Sequence, residues 1–224
     1  MNKSDKRLFI NALIFPFLFT AIMWAVKLIE IQFDLQNIIR EFGVLPREFS
    51  GIIGILFAPF IHKDILHLSN NSLPILILGW FLFFSYNKIA NEIFLWLFLV
   101  SGLWLWVIGR PSLHIGASGV IYSLASFLFV SGIIRKNPRL SAISLIVVFL
   151  YGSMIWGVLP TKPTVSWEGH LSGMVSGVIV AVFFKNDGPL RKKYQWEIDE
   201  ENENIIDNQK PETTITYTIK KEDK

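Results

Sequence analysis

Apolar residues run along this chain in long blocks and not in the narrow periodic stripes of a water-soluble fold. Crossing about 30 Å of hydrocarbon as a helix takes about 20 predominantly apolar residues, because the bilayer interior has no water to satisfy free backbone groups. Six segments have that character: about Leu8–Ile29, His67–Tyr86, Ile93–Gly109, Gly116–Ile134, Leu140–Leu159 and Gly169–Phe184, each bounded by charged or turn-forming residues. Arg135-Lys136-Asn137-Pro138-Arg139 reads as a tight turn between the fourth and fifth. The pattern predicts an all-α membrane protein with a six-transmembrane-helix bundle over residues 1–185. The opening segment has the basic start of a signal peptide (Lys3, Lys6, Arg7), but its apolar run is too long and no small-residue cleavage site follows, so it is expected to be retained.

Two stretches break the rhythm. Residues 29–66 mix apolar side chains with Gly43, Pro46, Gly51, Gly54 and Pro59 and are far longer than a helix connection needs, which predicts an outer loop folded on or into the outer leaflet. After Phe184 the chain turns polar, with Glu197, Asp199, Glu200, Glu201, Glu203 and Asp207 behind a basic patch at Arg191–Lys193. That composition predicts a flexible cytoplasmic tail over 186–224. Thr213–Ile219 alternates well enough for one strand, but a lone strand has nothing to pair with.

Composition sharpens the membrane reading. Of 224 residues 52% are hydrophobic and 17% charged, against roughly 25% charged in an ordinary soluble domain. No Asp, Glu, Lys or Arg occurs between Ala142 and Pro160 or between Gly169 and Phe184, as lipid-facing helices require. The net charge of +3 would suggest nucleic acid in a soluble chain, but here the basic residues flank apolar spans and act as topology signals, so no nucleic-acid partner is expected. With the amino terminus in the cytoplasm, Lys3, Lys6, Arg7, Lys88, Arg135, Lys136, Arg139, Lys185 and Arg191–Lys193 lie inside, and only Arg40, Arg47, Lys63, Arg110 and Lys162 outside. This bias predicts both termini cytoplasmic, in the inner membrane if the cell is bacterial. The absence of cysteine removes disulfides, thiolate metal sites and cysteine nucleophiles together.

Ionisable and strongly polar side chains are expensive inside a bilayer, so those near span ends are candidates for function. His62, His67, His114 and His170 all fall at the outer ends of the predicted spans. A single histidine there is ordinarily an interfacial residue facing water; four on one side suggest a shared site. Gly116-Ala117-Ser118-Gly119 opens the fourth span, and flanking glycines give a carbonyl room to approach the Ser118 hydroxyl. Tyr122 lies one helical turn below Ser118. The same small residues also suit plain helix packing. Gly169, Gly173 and Gly177 recur every four residues on the sixth span beside His170, a strip along which another backbone can pass closely. If the fourth helix packs there, Ser118 and His170 sit at matching depth and a hydroxyl–imidazole pair becomes geometrically natural. His67 and Asn71 share a face of the second span, and both can donate hydrogen bonds to an oxyanion. The alternative for Asn71 is an interhelical hydrogen bond that only holds the bundle together, and Asn70 could take its place in either account.

Taken together, His62, His67 and Asn71 in the second span region, Gly116-Ala117-Ser118-Gly119 with Tyr122 in the fourth, and Gly169-His170 with Gly173 and Gly177 in the sixth resemble the rhomboid family of intramembrane serine proteases. The resemblance covers roughly Ala58–Phe184. It implies a rhomboid-like bundle, a Ser118–His170 catalytic dyad, an oxyanion site of Asn71, His67 and the Ser118 backbone amide, and Tyr122 packed on the His170 ring. Gly116, Gly119, His62 and Gly173 would support the site. Many family members carry a Trp-Arg pair in the long first loop; here that stretch reads Gly51-Ile52-Ile53-Gly54-Ile55-Leu56. The implied activity is hydrolysis of a peptide bond in or near the transmembrane segment of a membrane-protein substrate, with the bilayer as the other partner and no metal or cofactor. The alternative within the family is an inactive relative that binds transmembrane clients. A transporter would carry polar groups to the midplane, whereas the inner halves of the fourth and sixth spans are apolar. A metal protease would call for a His-Glu-x-x-His string, which is absent.

Overall fold

Where the sequence is apolar the backbone is helical, since a helix satisfies its own N–H and C=O groups without water. The computed structural model describes residues 3–135, 137–161, 165–189 and 195–209. In the unit Met1–Arg191 the long helices are α1 (Lys3–Gln32), α4 (Ile65–Ser85), α5 (Ala90–Ile108), α6 (Ser118–Ile134), α7 (Pro138–Tyr151) and α8 (Trp167–Phe183). Two short helices, α2 (Gln36–Arg40) and α3 (Gly54–Phe57), lie in the loop between α1 and α4. Four segments are long and apolar enough to cross a membrane: Asp5–Gln32, Ile65–Ser85, Ala90–Ile108 and Pro138–Val158. The other two, α6 and α8, have 17 residues each and rise only about 25 Å. The protein is thus an all-helical, multi-pass membrane protein.

The burial pattern is that of a bundle in lipid. Phe149 is 87% exposed and Phe183 70%, while Ser123 and Ser176 are fully buried between helices. Small polar residues let backbones approach where apolar bulk gives no advantage over lipid. Gly79 of α4 meets the ring of Pro16 in α1, so the proline in one helix is matched by a missing side chain in the other. Phe15 stacks on Phe83 and meets Phe94 edge-on, both at 4.7 Å, tying α1 to α4 and α5. The carboxyl ends of α4, α6 and α8 converge on Arg135, which donates to the Phe184 and Asp187 carbonyls and lies 5.3 Å over the Tyr86 ring. A cation there complements the partial negative charge of helix C-termini. The amino ends of the same three helices meet at the opposite end of the bundle, where the candidate residues lie.

The fifth predicted span is not one continuous α-helix. α7 stops at Tyr151, and Gly152–Val158 tightens into a 3-10 turn. The loop between α1 and α4 folds against the end of α5. Arg47 donates to the Val107 and Gly109 carbonyls at 3.2 and 2.7 Å, and the Trp106 indole donates to the Glu48 carbonyl at 3.0 Å. Gly51 and Gly54 lie directly on the backbone of residues 43–45, where any side chain would collide. The stretch that lacks a Trp-Arg pair is therefore held by Arg47 and Trp106 and by its own glycines. The expected flexible tail contains a helix, α9 (Gln195–Gln209), in the second unit, with Gln195 Nε2 donating to Asp199 Oδ1 at 2.9 Å. Glu and Gln are good helix formers, a preference that a reading by charge alone passes over. The Arg191–Lys193 patch and the strand-like Thr213–Ile219 lie outside the described residues.

One buried ion pair escaped the sequence reading. Lys27 Nζ lies 2.7 Å from Glu30 Oε1 and also donates to the His62 and Lys63 carbonyls at 3.0 and 3.1 Å, pinning the chain just before α4 to α1. Lys27→Met is expected to destabilise the fold by about 3–5 kcal/mol, because Glu30 is left charged and buried without its partner. Adding Glu30→Leu should restore most of that loss. Thermal unfolding in detergent checks both; equal loss in the single and double variants would show that the carbonyl contacts, not the charge pair, carry the effect.

Candidate active site

The amino ends of α4, α6 and α8 open onto a cleft of about 610 Å³ whose lining includes His67, Asn71, His114, Ser118, Ser166 and His170. Asp64 caps α4, its carboxylate accepting from the His67 N–H at 2.7 Å, so the helix begins with His67 and Asn71 one turn apart on the cleft side. That hydrogen bond holds the Asp64 carboxyl below its ordinary value. Gly116 precedes α6 with φ +104°, a conformation glycine alone adopts readily, and an added Cβ would stand 2.7 Å from the His67 ring. Ser118 is the first residue of α6, where backbone N–H groups have no intrahelical partner.

His170 is the best-defined group in the cleft. Its ring stacks on Tyr122 with centroids 4.3 Å apart and planes 8° from parallel. Its Nδ1 lies 2.8 Å from the Gly157 carbonyl oxygen. A carbonyl only accepts, so Nδ1 carries the proton and Nε2 keeps its lone pair. Tyr122 in turn donates to the Met154 carbonyl at 2.7 Å. Both carbonyls belong to the 3-10 turn after α7. Gly157 has no room for a side chain, because a Cβ would collide with the Tyr122 hydroxyl and lie 3.1 Å from His170 Nδ1.

α8 packs on α6 through the glycine strip. A Cβ on Gly173 would strike the Gly119 carbonyl and one on Gly177 the Ser123 carbonyl, while Gly169 faces Leu105 of α5 and its own cap. Ser126 Oγ donates across to the Met174 carbonyl at 2.9 Å. Asn71 is 5% exposed and its Nδ2 has no hydrogen-bond partner. A buried amide donor left unpaired is costly, which makes it the most conspicuous polar atom at the cleft.

Of the parts that hold the cleft's far wall, the sequence singled out His114 but not its partners. Ser166 caps α8 by accepting from the Gly169 N–H at 3.2 Å, and its hydroxyl lies 2.6 Å from His114 Nδ1. His114 Nε2 is 3.1 Å from the Arg110 carbonyl, so Nε2 donates there and Nδ1 accepts from Ser166. Burial lowers the His114 pKa, with the Arg110 carbonyl and Glu168 opposing. Arg110 donates to the Val165 carbonyl at 2.9 Å and faces the buried Glu168 carboxylate at 3.5 Å. Ser166 before an apolar helix is a cap signal legible in the sequence; the Gly157 and Met154 carbonyls carry no residue-type signature at all.

His62 does not line the cleft. It is 1% exposed, packed edge-on against His67 at 5.0 Å, with neither ring nitrogen in good hydrogen-bond geometry. Burial first, then the His67 ring and Lys27, push its pKa down to about 3, against the opposing pull of the Phe60 carbonyl and Asp64. The unfolded chain takes up this proton near pH 6.5, so His62 contributes nothing above that value and increasingly favours unfolding as pH falls from 6.5 toward 3. His62→Gln should therefore flatten the decline in melting temperature between about pH 7 and pH 5. An unchanged slope would show that His62 is protonated in the fold.

A helical membrane protein with a serine and an oriented histidine on one polar cleft is a narrow class. The family model of the rhomboid domain matches residues 50–186. The chain is also 35% identical over 176 residues to proteins of Mycobacterium bovis and Mycobacterium tuberculosis, covering 73% of this chain and 71% of each. A Mycobacterium leprae protein is 32% identical over 176 residues, 73% of this chain and 67% of its own length. All three are described as uncharacterized. The chain belongs to the rhomboid family.

Proposed function

We propose that this protein is an intramembrane serine protease that hydrolyses a peptide bond in or near the transmembrane segment of a membrane-protein substrate, using Ser118 as nucleophile and His170 as base. The observation that carries the reading is the His170 ring, stacked on Tyr122 with Nδ1–H committed to the Gly157 carbonyl, which leaves Nε2 as a base on the cleft that Ser118 shares. In this reaction the Ser118 oxygen attacks the scissile carbonyl carbon as Nε2 takes its proton. The same proton passes to the leaving amine, and water repeats the sequence on the acyl-enzyme. Negative charge on the carbonyl oxygen is met by Asn71 Nδ2, the His67 ring and the Ser118 N–H at the start of α6. The backbone carbonyl of Gly157 does for His170 what a carboxylate does in a three-residue triad: it selects the tautomer and holds the ring.

The chain would cross the membrane six times, the shorter α6 and α8 included. Because 17 residues fall short of the hydrocarbon thickness, Ser118 and His170 would lie below the membrane surface and receive water through the cleft. Both termini would be cytoplasmic by the Lys and Arg asymmetry, and the membrane would be the inner one if the cell is bacterial. The test is labelling of purified protein with a fluorophosphonate probe. The parent should be labelled and should cut a single-span reporter, and Ser118→Ala should do neither while melting normally. An unlabelled parent that still binds transmembrane peptides would instead be a client-binding relative without chemistry.

A further inference from the structure

The cleft has a charge character that peptide hydrolysis does not require. Among the described residues three cations line it, Arg40 from the end of α2, Lys63 just before α4 and Arg110 after α5, and no carboxylate does. Arg110 is already engaged with Glu168 and the Val165 carbonyl. The nearby Lys27 is balanced by Glu30. The acidic neighbour of Lys63 among the described residues is Asp64, which acts through space, its carboxylate being turned to the cap of α4. Arg40 is half-buried and has no acidic or hydrogen-bonding side-chain partner among the described residues. The cleft that Ser118 and His170 line thus carries an excess of positive charge among its described residues, and a concave site focuses that field onto whatever enters.

Resting on the protease reading, we propose that Arg40 and Lys63 select substrates carrying an Asp or Glu side chain within a few residues of the scissile bond. A carboxylate placed there gains charge-assisted hydrogen bonds from a guanidinium and an ammonium whose side chains have no hydrogen-bond partner among the described residues. The volume confines the requirement: about 610 Å³ is the size of a site for a short peptide stretch, so the acidic residue must be close to the bond that is cut. A lipid phosphate has the same charge but would occupy the space the scissile segment needs, and would act as an inhibitor.

The probes are synthetic single-span peptides with one Asp, or Asn at the same position, moved residue by residue along the flank of the span, in phosphatidylcholine vesicles. The readout is the Asp/Asn ratio of kcat/KM at each position, which cancels any general loss of activity. One position should favour Asp by about tenfold in the parent. The preference should fall to near unity in Arg40→Gln/Lys63→Gln and turn toward Lys over Asn in Arg40→Glu. Protection of Ser118 from the fluorophosphonate by the uncut peptides should follow the same order, a readout that needs no turnover. A ratio of one at every position in the parent, or a preference that survives the double substitution, overturns the proposal. So does a ratio of one combined with activity that falls as phosphatidylglycerol replaces phosphatidylcholine, which would assign the cations to lipid phosphate. If the parent takes no label and cuts nothing, the protease reading itself has failed, a result distinct from labelled, active protein that ignores charge.

Discussion

His170→Ala is expected to reduce cleavage to the level of Ser118→Ala, a loss of roughly 10⁴-fold or more in kcat/KM, and to abolish fluorophosphonate labelling although Ser118 is still present. Nucleophile and base act as a unit, so a serine without its base is an ordinary alcohol, and the double variant should be no worse than either single one. Folding should survive. His170 is half-buried beside the cleft, its ring rests on Tyr122, and the Tyr122 hydroxyl keeps its own bond to the Met154 carbonyl. The check is kcat/KM on a single-span reporter together with labelling and thermal melting of each variant. Cleavage by a well-folded His170→Ala protein within tenfold of the parent would remove the dyad from the mechanism.

Gly173 offers a test that touches no reactive group. A Cβ at this position would collide with the backbone carbonyl of Gly119, the residue next to Ser118, and would lie 3.0 Å from Tyr122 Cβ. Backbone cannot rotate out of the way as a side-chain tip can, so α8 must move from α6, by about 1 Å for a methyl group and further for a larger side chain. A misplacement of about 1 Å in the reacting groups costs roughly a hundredfold in rate. Gly173→Ala should therefore lower turnover about a hundredfold, and Gly173→Leu should remove it and Ser118 labelling together. Gly152→Ala is the control, since a Cβ there would find only Val148 Cγ1 at 3.7 Å. Normal turnover in Gly173→Leu would mean that the α6–α8 contact does not set the position of Ser118 against His170.

What the sequence alone determined follows from the bilayer. Apolar blocks of span length admit little but helices, so the membrane class and the location of each apolar helix were legible, with ends that moved by only a few residues except in the fifth, where α7 stops at Tyr151 and not near Leu159. Polar residues are scarce enough in such blocks that Ser118, His170, Asn71 and the histidines drew notice as a set, though each singly suits packing or an interface equally well, and the four-residue glycine spacing marked a face of α8 along which another helix could pass. The tertiary structure decided what depends on backbone atoms and on chain segments far apart. Gly152 and Gly157 weaken a helix over 138–159 without fixing where it would tighten, yet the turn after Tyr151 presents the Met154 and Gly157 carbonyls to Tyr122 and His170. The same holds for Lys27 with Glu30, for Arg110 with Glu168, and for Arg40 brought from the first loop to the cleft. Each looked like an ordinary charge near a helix end until packing removed it from water or placed it on the cleft. A pattern along the chain reports the solvent of each residue, whereas its partner is fixed only when the helices meet.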